Sequence, residues 1–356
     1  MEVALNKNTC PAPPAIEGRP ATRKAGEGKI VPACRDPQEA ADRCYALARE
    51  CDRQGNYRTA FALGERAGEI LLQHRLPPGH DLTAPIQRLD TDRIVSHVAS
   101  SHRLATRLVA DGRPAPVFLL GFPCSGEGLL QRLLGSYPGI HVCHDSEALA
   151  RVREELDALS CAGEVDAGFH LNDAQVRRLQ GIYWRHLASG WDGMENPPLI
   201  IDSNPFNGLE LSLISLLFPG ARVVFAWRDP RDACLEAFME PYGFNEKTAL
   251  LRHWESLTMF YGRLFEYYHR LEPHLNCRFF HVRYERLIVD PPGEMEELLK
   301  FLGISWITVY RTYPDFVDTV GAYLEPRLSG WRNYSAFFAA AEKWLQTPVR
   351  VLGYGG

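Results

Sequence analysis

The sequence predicts an α/β protein, a three-layer fold with a central parallel sheet, preceded by a small helical region. Short continuous apolar runs such as Val117-Phe118-Leu119-Leu120 have the length and composition of strands buried on both faces. Between them lie segments whose apolar residues recur at helical spacing, and this alternation is the pattern of a parallel sheet covered by helices. Glycine, proline and Asn/Asp clusters punctuate the junctions.

The bulk numbers bound the rest. A chain of 356 residues suits one large α/β domain plus a smaller piece, and 46% hydrophobic residues is a globular composition. A net charge of −5 argues against a nucleic-acid partner. The absence of a run of ~18 apolar residues argues against a membrane span. The first residues lack the apolar core of a secretory signal. The nine cysteines contain no C-x-x-C pair, so we expect reduced thiols, a cytoplasmic location and no bound metal.

Residues 1–35, rich in Pro, Gly, Ala and Lys, read as a disordered tail. Residues 36–112 read as the helical region. Tyr45, Leu47, Ala48 and Cys51 line one helix, Gly55-Asn56 breaks it, and Thr59, Ala60, Leu63, Ala67, Ile70 and Leu71 line the next. The pair is similar to a tetratricopeptide unit and equally consistent with an unrelated helical hairpin. It cannot bury its own face, so it docks on the downstream part of the chain or on a protein partner. Pro77-Pro78-Gly79 marks a break, and Asp90 to Asp111 reads as a further helix.

Residues 113–348 read as the sheet domain. After the first strand come a second strand at Ile140–Cys143 and helices near Glu147–Leu159 and Asp173–Ser189. A third strand, Leu199–Asp202, precedes a helix from Leu209 to Phe218. Arg222–Trp227 is the fourth strand, followed by a helix with Asp229 as cap and Pro230 at its first position. A long helix is expected from about Glu246 to Leu271, then a fifth strand at Arg278–Val282 and a helix from Glu294 to Phe301 closed by Gly303. Ligands of such sheets sit at the carboxyl ends of strands. Here those ends are Phe122–Gly128, Asp202–Pro205 and Trp227–Pro230.

The stretch Pro116–Tyr137 is the most informative. A strand, a glycine-containing loop and a helix direct backbone N–H groups and a helix dipole to one spot, an arrangement suited to phosphate or sulfate. Packing glycines in a tight turn would explain it equally well. Gly121 and Gly126 keep the spacing of G-x-x-x-x-G-K-[ST], but Glu127 and Gly128 replace its Lys and Ser/Thr, which excludes an ordinary nucleotide kinase or ATPase.

Five segments in order resemble the sulfotransferases, especially a bacterial tetratricopeptide-linked branch. Gly121-Phe122-Pro123-Cys124-Ser125-Gly126-Glu127-Gly128-Leu129 is similar to G-x-P-R-S-G-T-T-L. Asp202-Ser203-Asn204-Pro205-Phe206-Asn207 is similar to D-K-x-P-x-N. Trp227 through Glu236 is similar to a strand ending in R-R-D-P-x-D-x-C-L-S. His281 through Ile304 and Gly330-Trp331-Arg332-Asn333-Tyr334 match the closing segments, so the resemblance covers about residues 115–345. It implies a P-loop-like sulfotransferase fold that binds 3′-phosphoadenosine 5′-phosphosulfate (PAPS) and moves its sulfuryl group to a hydroxyl or amine of a small-molecule acceptor. It also implies donor contacts from Pro123, Cys124, Ser125, Gly126, Glu127, Gly128, Arg228 and Glu236, with Arg327, Ser329 and Arg332 in the segment that covers the nucleotide. A carboxylate or histidine takes the acceptor's proton. Glu147 is the first candidate and His144 the second, from a loop that also holds His141 and Asp145.

The departures carry as much information as the matches. Cys124 replaces the loop's cation, Glu127 and Gly128 its two hydroxyl residues, Ser203 a lysine, and Glu236 the serine that holds the 3′-phosphate. A carboxylate ~4 Å from a phosphate at intermediate dielectric is repulsive by ~4 kcal/mol. That is roughly a thousandfold in affinity unless compensated. Glu127 faces the donor unless it points outward or caps its helix, and Glu236 pairs with Arg228 or Arg231, the first of which would otherwise hold an anion. Cys124 reads as a reactive thiol or as a loop residue that lost the arginine. The expected alternative to transfer is a degenerate donor site, in a non-catalytic partner or a protein of altered chemistry such as dehydration or cyclisation.

Overall fold

The computed structural model describes residues 36–77, a few positions between 81 and 94, and 114–355 apart from 138, 166–170, 189–198 and 306–327. The expected tail, the body of the helix at Asp90–Asp111, and Arg327 lie outside the described residues.

Five parallel strands form one sheet in the order β2-β3-β1-β4-β5: β1 Val117–Gly121, β2 Ile140–His144, β3 Leu199–Ser203, β4 Arg222–Trp227 and β5 Arg278–Arg283. The central position of β1 follows from its sequence, since all five of its residues are buried. Its registers, Leu119 opposite Ser203 and Gly121 opposite Ala226, bring three carboxyl ends together at the loop after β1. The two faces of the sheet belong to separate cores. Phe118, Leu120, Val223 and Phe225 pack in one with the helices Ala148–Cys161 and Trp254–Leu271. Val117, Leu119, Val224 and Ala226 pack in the other with the helices Glu127–Gly135 and Pro291–Leu302. This is the three-layer arrangement expected of continuous apolar runs.

Two expected elements take a different form. The helix near Glu246–Leu271 is broken into Glu246–Ala249, a 3-10 turn at Leu250–Arg252, and Trp254–Leu271. His253 is extended (φ −127°, ψ 125°), and its ring accepts the amide of Ser256, capping the second helix. The helix expected from Leu209 begins as a 3-10 turn at Pro205–Glu210 and becomes α-helical at Leu211. Asn204 caps the turn by accepting the amide of Phe206 at 2.9 Å.

The helical hairpin comprises α1 Pro37–Arg53, capped by Asp36, and α2 Tyr57–Arg75, capped by Asn56. Leu47, expected on the inner face, is exposed, whereas Tyr45 and Ala48 are buried. α2 docks on the sheet domain. Phe61 stacks on Phe337 with ring centroids 4.0 Å apart and meets Phe238 and Trp254. Tyr334 donates to Asp52 on α1. Among the described residues, no helix is long and apolar enough to cross a membrane.

Candidate functional site

The loop Phe122–Gly126 leaves β1 with a backbone shaped by two positive φ values, 67° at Cys124 and 106° at Gly126. Glycine is needed at 126 twice over: the φ is left-handed, and a Cβ there would lie 2.7 Å from the ring of Tyr284. Cys124 holds the left-handed form without that freedom, a strain that surrounding contacts must fix. Arg228, 3% exposed at the end of β4, donates through Nη1 to the Cys124 carbonyl at 3.0 Å and lies over the Tyr284 ring. The helix Glu127–Gly135 then starts with its amides facing the loop.

Glu127 fills that cradle. Its Oε1 accepts the amide of Cys124 at 2.9 Å. Its Oε2 is shut from solvent and has no hydrogen-bond partner among the described residues. Burial pushes this carboxyl up to about 7, against the opposing pull of the loop amides and Arg228. At the other anion-binding element, Glu236 Oε2 lies 2.7 Å from Arg228 Nη1. Arg231 pairs with Asp229 instead, at 2.7 Å. Both carboxylates thus make internal contacts: Glu127 turns back onto the loop amide of Cys124, leaving its helix without a side-chain cap, and Glu236 pairs with Arg228.

Cys124 Sγ contacts the Tyr242 hydroxyl at 2.8 Å. Burial, then the carboxylates of Glu236 and Glu127, push the thiol well above its usual range. This disfavours the thiolate that a nucleophilic role requires. Ser125 is 1% exposed and its hydroxyl has no hydrogen-bond partner among the described residues. Pro123 is buried beside it, and Gly128 is exposed on the first helical turn.

His144 and Glu147 lie beyond the end of β2. His144 is exposed, and its Nδ1 meets Gln131 Oε1 at 3.1 Å. Gln131 also donates to Ser203 Oγ at 2.7 Å, which leaves its carbonyl to accept from the histidine's Nδ1–H and keeps Nε2 out of that contact. Glu147 is exposed and pairs with Arg151 at 3.4 Å. Asp202, fully buried at the end of β3, accepts from Tyr183 at 2.7 Å and Asn207 at 3.1 Å. Burial raises its carboxyl to about 7, and those hydrogen bonds pull against the shift.

The late segment is tied to the motif helix Pro230–Met239. Asp232 accepts the amides of Ser329 and Trp331, each at 2.8 Å, and burial lifts its carboxyl to about 6. Trp331 lies under the Arg231 guanidinium, 3.8 Å from its ring centroid, and packs against the core. Arg332 is exposed over the same ring. The sequence pattern singles out neither Asp232, which lies inside the quoted motif, nor Gln131, Tyr242 and Tyr284. The last three join the site only through contacts distant in sequence.

The description "Sulfotransferase family" matches residues 116–308, and the chain belongs to that family. An uncharacterized protein of Aquifex aeolicus is 22% identical over 353 residues, spanning 89% of this chain and 42% of the relative. Chicken (Gallus gallus) protein-tyrosine sulfotransferase 2 is 23% identical over 217 residues, 58% of this chain and 55% of the relative. The chain thus spans about half the length of the curated relatives it matches. Among solved structures, sulfotransferase STF9 from Mycobacterium avium aligns over 86% of this chain and 96% of its own, with 15% identity and a TM-score of 0.41.

The residues present do not fit the family's donor. The backbone cradle and the Ser125 hydroxyl suit a phosphosulfate, but a carboxylate already sits on the Cys124 amide and a second on Arg228. No group of three His, Cys, Asp or Glu side chains among the described residues is placed to hold a metal ion.

Proposed function

We propose that this protein is a non-transferring member of the sulfotransferase family, one that keeps the scaffold and the loop backbone but fills the donor cradle with its own carboxylates. The observation that carries this reading is the Glu127 carboxylate on the Cys124 amide at 2.9 Å, with Glu236 on Arg228 at 2.7 Å. Each contact puts an acidic side chain where a PAPS-type donor would place its own anionic groups. An incoming donor must expel or neutralise both before it gains any contact. Calorimetric titration with 3′-phosphoadenosine 5′-phosphate tests this. No binding is expected at about 1 mM, a limit equivalent to only ~4 kcal/mol of affinity. A dissociation constant in the micromolar range would overturn it.

A second reading is PAPS-dependent sulfuryl transfer to a hydroxyl or amine of a small-molecule acceptor. It is favoured by the buried, unpartnered Ser125 hydroxyl at the loop. In that reading His144 and Glu147 are the base candidates. His144 is the better oriented, because Gln131 fixes its tautomer. Tight binding in the same titration, together with sulfated product from a panel of phenols and amines, would establish it.

A further inference from the structure

Arg252 is 1% exposed and sits in the 3-10 turn that breaks the expected long helix. Its Nη1 donates to the Tyr45 hydroxyl of α1 and to the Glu240 carbonyl, each at 2.8 Å. Its Nη2 donates to the Tyr242 carbonyl. The guanidinium also lies near the rings of both tyrosines. Tyr242 in turn places its hydroxyl on Cys124 Sγ, in the donor loop, at 2.8 Å. A continuous chain of contacts therefore runs from α1 through one buried arginine to the loop.

α2 closes the same assembly from the other side. A Cβ at Gly68 would lie 1.9 Å from the Arg252 carbonyl oxygen, so the helix rests directly on the backbone of that residue. One turn earlier, a Cβ at Gly64 would lie 2.9 Å from Met239 Sδ. Two glycines four residues apart fall on one helix face and form a notch: Gly68 seats the backbone of Arg252, and Gly64 seats Met239 and Phe238 at the end of the helix Pro230–Met239.

We infer that Arg252 is a positioning residue and that the helical hairpin is part of the donor-loop architecture: α1 holds Arg252, Arg252 holds the Glu240–Tyr242 strap, and Tyr242 pins the loop at Cys124. This goes beyond the functional proposal and does not depend on it, because the coupling is between the hairpin and the loop whether or not any nucleotide binds. A buried guanidinium that directs donors to two carbonyls fixes the strap's path, since moving the strap would strand those donors in a dry site. Left-handed Cys124 needs such an external restraint.

Amide hydrogen exchange of the full chain, read peptide by peptide, tests the inference. Tyr45→Phe deletes one hydroxyl on α1 and keeps the ring. We expect it to speed exchange at least threefold in peptides covering 122–128 and 240–252, with the peptide covering Pro291–Leu302, in the core on the other face of the sheet, unchanged. Tyr242→Phe should speed 122–128 by itself, and the double variant should exchange there no faster than Tyr242→Phe alone, because both cut the same chain of contacts. Faster exchange confined to α1 would overturn the inference. So would an equal rise at Pro291–Leu302, which would indicate general loosening. Additive effects of the two variants at 122–128 would overturn it as well.

Discussion

Glu127 Oε1 accepts the backbone amide of Cys124 at 2.9 Å, so the first side chain of the helix after β1 turns back onto the loop three residues before it. This contact defines the site. The same amides and helix dipole that suit a phosphate also suit a carboxylate, and one tethered three residues away has a far smaller entropic cost of binding than a free anion. The pairing of Glu236 with Arg228 repeats the arrangement at the second anion-binding element.

Restoring the family's loop chemistry should reopen the cradle. Glu127→Thr with Cys124→Arg removes one negative charge and adds one positive. Affinity for 3′-phosphoadenosine 5′-phosphate should rise by ~100-fold or more over wild type in calorimetry. An unchanged affinity would mean that these side chains do not control anion entry.

Glu236→Ser should release Arg228 for an external anion and strengthen binding of the same nucleotide by ~10-fold in the Glu127→Thr, Cys124→Arg background. Adding Arg228→Ala should erase the gain. If the gain survives, the nucleotide is held elsewhere.

The buried carboxyls make stability pH-dependent. Glu127 and Asp202 both titrate near 7 in the folded chain, against ordinary values of 4.5 and 3.8. The folded chain therefore holds protons that the unfolded chain has already lost. Their contribution is intact below about pH 4 and is lost as pH rises through 7, on the order of 3 kcal/mol per group at full shift. Urea denaturation at pH 5 and pH 8 should show the decline, and Glu127→Gln should flatten it. A stability that rises across this interval even in the wild type would exclude the assignment.

Hairpin docking depends on a few rings. Phe61→Ala should destabilise the chain by ~3–5 kcal/mol, because it opens a cavity among Phe238, Trp254 and Phe337. Leu47→Ala, on an exposed face of α1, should cost under ~0.5 kcal/mol. Thermal unfolding of the two variants side by side measures the contrast.

The sequence alone determined the strands, their parallel order as a class of fold, and the collinear motifs. These are recorded locally: an apolar run such as Val117–Leu120 carries its own burial, and Asp229-Pro230 carries its own helix start. It also named the residues in question at the donor loop, Cys124, Glu127, Arg228 and Glu236. Their arrangement was settled by the tertiary structure, because Glu127 had two ways to satisfy its charge and Arg228 two classes of anion to hold. The break at Leu250–His253 and the path from Tyr45 through Arg252 to Cys124 left no local trace in the sequence. Their partners lie up to 207 residues apart. Helical spacing reports which residues want burial, but not which distant backbone a buried arginine will find.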